Sequence, residues 1–483
     1  MKRTKIVCTM GPASSSKTTI REMILSGMDV ARVNFSHGTH AEHKKTIQLI
    51  RKTANELETQ VAILQDIAGP KIRIGRVEDE KISLQTGSTI DITTKPVIST
   101  VKKLSINYTK LPLEVHTGDA ILFADGTIEV VVNSVEKETI HCTVIDGGIL
   151  TSNKGVNVPS TTIRTPTITE KDEADMLFGI ANDVDYIAIS FVRTPEDILQ
   201  AKSIITDADA DTAVIAKIEK QEAIKKINKI ITVSDGIMVA RGDLGVEVPL
   251  EDVALIQKKI IKLCNNCGKP VITATQMLRS MVENNRPTRA EITDVSNAIL
   301  DGTDAIMLSE ETANGSYPIQ SVKIMSRIAQ ATEISDEFKE QMFRRNLAPL
   351  NNIPDAISQA ACNIAKHLDA SAILTPTSTG STARLIARYR PAQPIIAMCT
   401  ISKVCRKLRL IWGVQSVMTE ATDDTDQLIQ SAKQIARLKG IKPGELIVIT
   451  AGTPTGTAGS TNLIRVSRIE PVVTWSLNLK KVM

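Results

Sequence analysis

Lys5-Ile-Val-Cys-Thr-Met10, Val30-Ala-Arg-Val-Asn-Phe35 and Val61-Ala-Ile-Leu-Gln-Asp-Ile67 are short β-branched runs, separated by two longer stretches of helical pattern, Thr18 to Met28 and Thr39 to Leu57. This alternation implies a parallel sheet, because a parallel neighbour is reached only through a crossover and the crossover is normally a helix. After Pro70 the rhythm changes. Up to about Pro159 the chain is strand-rich, with strand patterns at Thr127 to Val132 and Thr139 to Ile145 and turn signals at Asp125-Gly126 and Asp146-Gly147-Gly148. These read as hairpins of an inserted all-β unit. The βα rhythm then resumes, with strand patterns at Tyr186 to Ser190, Ala213 to Ile218, Gly236 to Arg241, Pro270 to Gln276 and Ala305 to Ser309. Three strands before the insertion and five after it make eight, the number that closes a (β/α)8 barrel.

A further α/β set begins near Ile353, with strand patterns near Ala372 to Thr375, Pro394 to Cys399, Gln415 to Thr419, Glu445 to Thr450 and Asn462 to Ser467, and the polar stretch Asp336 to Asn352 reads as the linker before it, with room for a helix turn. The 483 residues suit several domains at roughly 100 to 200 residues each. The expected boundaries are 1–70 with 160–340 for the barrel, 71–159 for the β lid and 353–483 for the C-terminal α/β domain.

Hydrophobic residues make up 42% and charged residues 23%, which places the chain among globular proteins. Aromatics are only 2%, so Ile, Val, Leu, Ala and Met must fill the cores and few rings remain to stack bases, which argues against single-stranded nucleic-acid binding. The net charge of +4 is small and dispersed, too little for a DNA-binding stripe. No apolar run approaches the ~18 residues of a membrane helix, and Met1 to Pro12 has no signal-peptide core, so a cytoplasmic protein without membrane or nucleic-acid partners is expected. Seven dispersed cysteines make no disulfide framework. Cys264 and Cys267 form a C-x-x-C pair with no second pair or His cluster, and read as two thiols at a helix end before Gly268.

A (β/α)8 barrel carries its active site at the carboxyl ends of its strands. Here those ends hold Arg32 and Asn34, Asp66, Ser190, Lys217 and Glu219, Arg241 and Asp243, Thr275, and Ser309. Side chains alternate along a strand, so Lys217 and Glu219 should point to one side, as should Arg241 and Asp243. Glu219 and Asp243 offer hard oxygen ligands without Cys or His, the pattern of Mg²⁺. The same residues would also serve as a salt-bridge ring, and spacing alone leaves both readings open. Arg241-Gly242-Asp243-Leu244-Gly245 precedes a helical pattern starting near Leu250, and its backbone N–H groups suit an anion.

Several motifs, taken in order, resemble the pyruvate kinase family along essentially the whole chain. They are Lys5-Ile-Val-Cys-Thr-Met-Gly-Pro-Ala-Ser14, Val30-Ala-Arg-Val-Asn-Phe-Ser-His-Gly38, Gly69-Pro-Lys-Ile-Arg73, Ala216-Lys-Ile-Glu219, Ser234-Asp-Gly-Ile-Met-Val-Ala-Arg-Gly-Asp-Leu-Gly245, Ile272-Thr-Ala-Thr-Gln-Met-Leu278 and Met307-Leu-Ser-Glu-Glu-Thr312. The resemblance implies a TIM barrel with an inserted small β-barrel lid and a regulatory C-terminal α/β sandwich domain, a cytoplasmic homotetramer, and the last step of glycolysis, in which phosphoenolpyruvate and ADP give pyruvate and ATP. It makes Lys217, Arg32 and Thr275 the catalytic residues: Arg32 and Lys217 are cations at the transferring phosphoryl group, and Thr275 relays a proton through water. Ser190, Gly242 and Asp243 join them in binding substrate, Glu219 and Asp243 hold Mg²⁺, and Asn34, Phe35, Ser36, His37, Arg73 and Lys154 bind the nucleotide, Lys154 only when the lid closes.

Two departures from the family pattern matter. Potassium-dependent members carry Thr-Lys-Gly-Pro-Glu after the third-strand Asp, whereas this chain reads Asp66-Ile-Ala-Gly-Pro-Lys71. The monovalent-ion positions Asn34, Ser36 and Asp66 are present, yet the Lys71 ammonium would take the ion's electrostatic place and repel it, so activity without potassium is expected. In the C-terminal domain, Thr375-Pro-Thr-Ser-Thr-Gly-Ser-Thr382 precedes a helix expected from about Ala383 and lacks the family's frequent arginine. Its hydroxyls at Ser378, Thr379, Ser381 and Thr382, with Gly452 to Thr461 as companion loop, suit a phosphorylated allosteric effector or a structural turn. The rival functions are a magnesium-enolate lyase or aldolase, which would not need Lys154, Arg73 or the β insertion, and a non-catalytic metabolite-sensing paralogue, against which the intact Lys217, Arg32 and Thr275 count.

Overall fold

The computed structural model describes residues 2–159, 161, 165–343, 345, 347–453 and 459–471. Eight parallel strands close into a barrel: Lys5–Thr9, Val30–Asn34, Ala62–Asp66, Tyr186–Ile189, Ala213–Ile218, Gly236–Ala240, Val271–Ala274 and Ala305–Leu308, with the first hydrogen-bonded to both the second and the eighth. All eight coincide with the β-branched runs of the sequence. Nearly every residue in them is buried, because barrel strands are covered by side-chain layers inside and helices outside. The register sets Thr9 beside Arg32 and Asn34 beside Asp66, which brings the polar strand ends to one rim. The helix after the second strand, His40–Glu56, starts from a capping box in which Thr39 and Glu42 satisfy each other's backbone N–H groups; this fixes the loop Asn34–Gly38 just before it.

The insertion is two sheets around one core. Six strands run in the order Val156–Asn157, Ala120–Phe123, Ile128–Glu136, Thr139–Asp146, Thr89–Thr93 and Lys103–Ser105, while Lys81–Leu84 pairs with Gly148–Thr151. Phe123, Ile90, Ile92, Leu104, Val130 and Ile140 lie in the apolar centre. The Asp125-Gly126 turn is a hairpin between Ala120–Phe123 and Ile128–Glu136. Asp146-Gly147-Gly148 is not: the strand after it pairs with Lys81–Leu84 rather than turning back on its predecessor. A Cβ at Gly147 would come 2.3 Å from the Leu84 carbonyl oxygen, so these glycines allow one backbone to cross another at a corner.

Packing divides the chain into Ile6–Thr332 and a second unit made of Met1–Lys5 with Glu333–Met483. In the second unit, the Arg3 and Thr4 amides donate to the Glu333 carboxylate at 2.7 and 2.6 Å, and Gly413 donates to the Arg3 carbonyl at 2.9 Å. Its five-stranded sheet runs Val414–Met418, Ile395–Cys399, Ala372–Thr377, Leu446–Gly452 and Thr461–Arg468, the last strand antiparallel. Alternate strand residues feed two apolar layers. Ile373, Ile395 and Val448 face one way with Ile386, and Leu374, Ile396 and Ile449 face the other with Ala432. The stretch expected as linker holds a helix, Asp336–Phe343, because Phe338 is buried against Trp412 at 6.4 Å between ring centroids. The helix Val253–Cys267 ends at Gly268 in the left-handed conformation, φ 65°, and places both C-x-x-C thiols at its end.

Candidate active site

At the carboxyl rim, Arg32, Asp66, Ser190, Lys217 and Glu219 form one connected charge cluster. Arg32 Nε donates to Asp66 Oδ2 at 2.6 Å and its Nη1 to Thr9 Oγ1 at 2.9 Å. Lys217 Nζ reaches Ser190 Oγ at 2.7 Å, Glu219 Oε1 at 2.9 Å and Asp66 Oδ1 at 3.2 Å. Strand alternation therefore does aim Lys217 and Glu219 to one side. The remaining Glu219 oxygen accepts from the Phe191 amide at 2.7 Å, with Phe191 held at φ 55°. Thr9 and the Phe191 amide are partners that the sequence reading did not single out. Thr9 lies inside the Lys5–Ser14 motif, whereas a backbone amide leaves no mark on a sequence.

Burial works against the Asp66 charge, but Lys217 and Arg32 overcome it and hold its carboxyl below the ordinary carboxylate range. Burial likewise opposes the Lys217 charge and is outweighed by Asp66 and Glu219, so the ammonium is held more firmly than in water. For Glu219 the balance reverses. Burial, helped by the nearby Asp243 charge, raises its carboxyl above the usual range despite Lys217. Asp243 pairs with Lys71 at 3.5 Å, which sets the Lys71 ammonium against Asp243 rather than in an ion pair with Asp66, whose cations are Arg32 and Lys217.

The six charges Arg32, Lys71, Lys217, Asp66, Glu219 and Asp243 cancel, so the cluster has no surplus positive charge for an anionic substrate. Glu219 and Asp243 are hard oxygen donors, the charge of the second adding to the burial that makes the first costly to ionise, and they fit a divalent cation. Among the described residues no group of three or more His, Cys, Asp and Glu gathers into a protein-only metal cage.

The structure corrects one element. Arg241–Glu247 is already a helix, directly following its strand. Residues two apart on a helix lie about 200° apart around it, so Arg241 and Asp243 do not share a side. Arg241 turns to Asp294 at 2.8 Å and to the Thr275 carbonyl at 2.7 Å; its role is to brace the loop. Thr275 has φ 70°, a left-handed backbone uncommon for a β-branched residue and costing about 1–3 kcal/mol. Its Oγ1 accepts from the Gly242 amide at 2.8 Å and donates to the Ala274 carbonyl at 2.6 Å.

A cleft of about 870 Å³ runs along the rim, lined by Thr9, Arg32, Asn34, His37, Thr275 and Ser309 among others. Phe35 does not reach it. Its ring is buried and stacked on His43 at 4.1 Å, so only the Phe35 backbone serves this loop. Ser36 is exposed, its amide accepted by Asn34 Oδ1 at 3.1 Å. Arg73 and Lys154 do not line the cleft. Arg73 donates to the Asn153 carbonyl at 2.9 Å, and Lys154 is exposed on the insertion.

In the second unit, Ser378, Thr379, Ser381 and Thr382 line a cavity of about 140 Å³ that also holds Glu420 and Asp423. The helix behind them starts at Ser381, two residues earlier than expected, because Gly380 at φ 81° serves as its N-cap. Thr382 and Thr461 hydroxyls meet at 2.7 Å; residues 454–458 of the companion loop lie outside the described residues.

Family profiles match the chain in two places: "Pyruvate kinase, barrel domain" over residues 1–322 and "Pyruvate kinase, alpha/beta domain" over residues 355–467. The chain is 48% identical over 476 residues to a pyruvate kinase of Geobacillus stearothermophilus, covering 98% of this chain and 81% of that one. It is 45% identical over 473 residues to a pyruvate kinase of Clostridium acetobutylicum, covering 97% and 100%. The crystal structure of a pyruvate kinase from Cryptosporidium parvum superposes with a TM-score of 0.90 at 36% identity, covering 97% of this chain and 96% of that one. With the rim cluster, the inserted β unit and the C-terminal sheet all in place, the chain belongs to the pyruvate kinase family.

Proposed function

We propose that this rim transfers the phosphoryl group of phosphoenolpyruvate to ADP and then protonates the enolate, giving pyruvate and ATP. The observation that carries the reading is Arg32, which is at once part of the Asp66–Lys217–Glu219 cluster and part of the wall of the cleft leading to His37. The P–O bond to the enol oxygen breaks as a new P–O bond forms to a terminal oxygen of ADP. Charge spreads over the phosphoryl oxygens in a loose transition state, so fixed cations at Arg32 and Lys217 lower the barrier, each such donor contributing about 10²- to 10³-fold in rate. The Asp66 carboxylate orients both cations, and Ser190 fixes the ammonium from the other side. Gly242 and Asp243 amides, with Ser190, receive the substrate carboxylate, the Gly242 amide giving up its bond to Thr275 Oγ1 to do so, and Thr275 passes a proton towards the methylene carbon through water. Asn34 to His37 hold the nucleotide, joined by Arg73 and Lys154 when the insertion closes. Glu219 and Asp243 would hold Mg²⁺, which supplies the positive charge that the balanced cluster lacks.

Activity without potassium is part of this reading because Lys71 puts a fixed ammonium at the same rim, although it stands against Asp243 and not at the Asn34, Ser36 and Asp66 position where the sequence pattern places it. Wild type is expected to turn over equally with and without potassium in sodium-free buffer, and Lys71→Glu to acquire a potassium requirement; a strict requirement in wild type overturns this. The main test is a coupled assay of pyruvate formation from phosphoenolpyruvate and ADP. Turnover with Mg²⁺ that disappears with EDTA is expected, and full speed in EDTA refutes the assignment of Glu219 and Asp243. The same reading includes a lid at 71–159, a barrel at 1–70 and 160–340, a C-terminal domain at 353–483, a homotetramer and a cytoplasmic setting. Among the described residues no helix is long and apolar enough to cross a membrane. The hydroxyl cavity of Ser378 to Thr382 is read as a phosphorylated-effector site, with Arg384 Nη1 close to the loop glycine to supply the cation missing from the loop itself.

A further inference from the structure

One buried carboxylate beside the rim has no part in the chemistry above. Glu247 is 4% exposed and ends the same Arg241–Glu247 helix whose first turn carries Gly242 and Asp243. Its Oε1 accepts two hydrogen bonds, from Lys220 Nζ at 2.6 Å and from Asn157 Nδ2 at 2.9 Å. Lys220 follows Glu219 directly in the chain, and Asn157, itself buried, lies in the last strand of the insertion. The two segments joining insertion to barrel also pair with each other. Val156 donates to the Ile72 carbonyl at 2.9 Å and Ile74 to the Lys154 carbonyl at 3.0 Å.

Each strand of this ribbon sends one side chain to the same helix, Lys71 to Asp243 at 3.5 Å and Asn157 to Glu247 at 2.9 Å. A third segment comes near them: a Cβ added at Gly126, in the hairpin turn of the insertion, would lie 3.5 Å from Val246 Cγ1. The insertion is therefore bonded to one short helix at two of its positions and passes close to a third. The same ribbon carries Arg73 and Lys154, neither of which lines the cleft in this structure.

We propose that Glu247 is a positioning residue, the pivot about which the insertion turns when it carries Arg73 and Lys154 to the nucleotide. This rests on the phosphotransfer reading of the rim. A buried carboxylate shared by an ammonium and an amide is costly to leave unpaired, so the Asn157–Glu247–Lys220 contact persists while the rest of the ribbon swings. Because the helix beginning at Arg241 also bears Asp243, the pivot sets the insertion in register with the metal-binding end of the site.

The test compares wild type with Asn157→Ala, which removes one donor and leaves Glu247 paired to Lys220. The KM for ADP is expected to rise about five- to tenfold with the KM for phosphoenolpyruvate within about twofold, since apparent affinity falls with the fraction of competent conformer. The double variant N157D/E247Q exchanges amide and carboxylate across the contact and is expected to restore the KM for ADP. Trypsin cleavage after the exposed Lys154, measured without substrates, is expected to be faster in Asn157→Ala. Should that variant lose its cooperative melt, Glu247→Gln, which keeps the volume and weakens both contacts, is expected to show the same split. If wild type turns over but Asn157→Ala matches it in KM for ADP and in cleavage, or loses only kcat, the pivot is refuted and the phosphotransfer reading stands. If wild type shows no turnover, that reading fails, and cleavage decides the pivot alone, equal rates refuting it.

Discussion

Lys217 has each of its three N–H donors on a protein oxygen, from Ser190, Glu219 and Asp66. From the sequence, Lys217→Met is expected to fold normally and lose turnover. The structure keeps the loss of turnover and changes the expectation for stability, because removing one partner of a buried ion cluster costs about 3–5 kcal/mol. The sign of its pH dependence follows from the shifts. Lys217 is raised, so its contribution is full below its unfolded value of about 10.4 and is lost as pH rises through the folded value. Asp66 is depressed, so its contribution is full above an unfolded value of about 3.9 and is lost as pH falls through the folded one. Glu219 is raised, so it favours the fold below its unfolded value of about 4.3 and weighs against it as pH rises. Once Glu219 and then Asp66 take up protons, neither needs the lysine. The melting-temperature gap between wild type and Lys217→Met should be wide at pH 7 and narrow steadily below about pH 5. A gap independent of pH between 4 and 8 would show that the lysine stabilises by packing alone.

At the scale of elements, the eight barrel strands were legible because each is a β-branched run with turn signals on both sides, and their tight packing makes them sensitive. Gly236 opens the sixth strand, where a Cβ would lie 2.7 Å from Ile215 Cδ1 and 3.0 Å from the Pro270 carbonyl oxygen. Backbone cannot yield as a side-chain tip can, so Gly236→Ala should cost about 1–3 kcal/mol and lower the melting temperature by about 2–4 °C for each of them; an unchanged melt would mean the strand has room to shift. The helix Arg241–Glu247 was not legible. Two glycines and a β-branched valine in seven residues are poor helix formers, and the helix stands because Leu244 is buried and Glu247 is held by Lys220 and Asn157. The Asp146-Gly147-Gly148 corner was misread for a related reason: the glycines announce a bend but not which strand comes next. Within the site, the alternation rule placed Lys217 with Glu219 correctly and failed for Arg241 with Asp243, where the strand had already given way to helix. Lys71 was legible as an intruding cation, but its partner Asp243 is 172 positions away in sequence, a distance that only folding resolves.

For the whole molecule, the division into Ile6–Thr332 and Met1–Lys5 with Glu333–Met483 gives each unit its own core. The barrel unit includes the apolar centre of the insertion, while the second unit has separate layers on the two faces of its sheet. Chains built this way depart from two-state unfolding, and calorimetry should show a van't Hoff enthalpy smaller than the calorimetric one. The two candidate ligand sites fall in different units, so ligands should move different parts of the transition. A ligand at a hundred times its Kd stabilises the unit that binds it by about 2.7 kcal/mol. Phosphoenolpyruvate with Mg²⁺ should raise the component that Gly236→Ala lowers. A sugar phosphate bound at Ser378 to Thr382 should raise the other, and Thr382→Ala, which breaks the hydroxyl contact with Thr461, should abolish only that second shift. A single transition moved equally by both ligands would mean that the two units unfold as one and that this separation of their energetics is wrong.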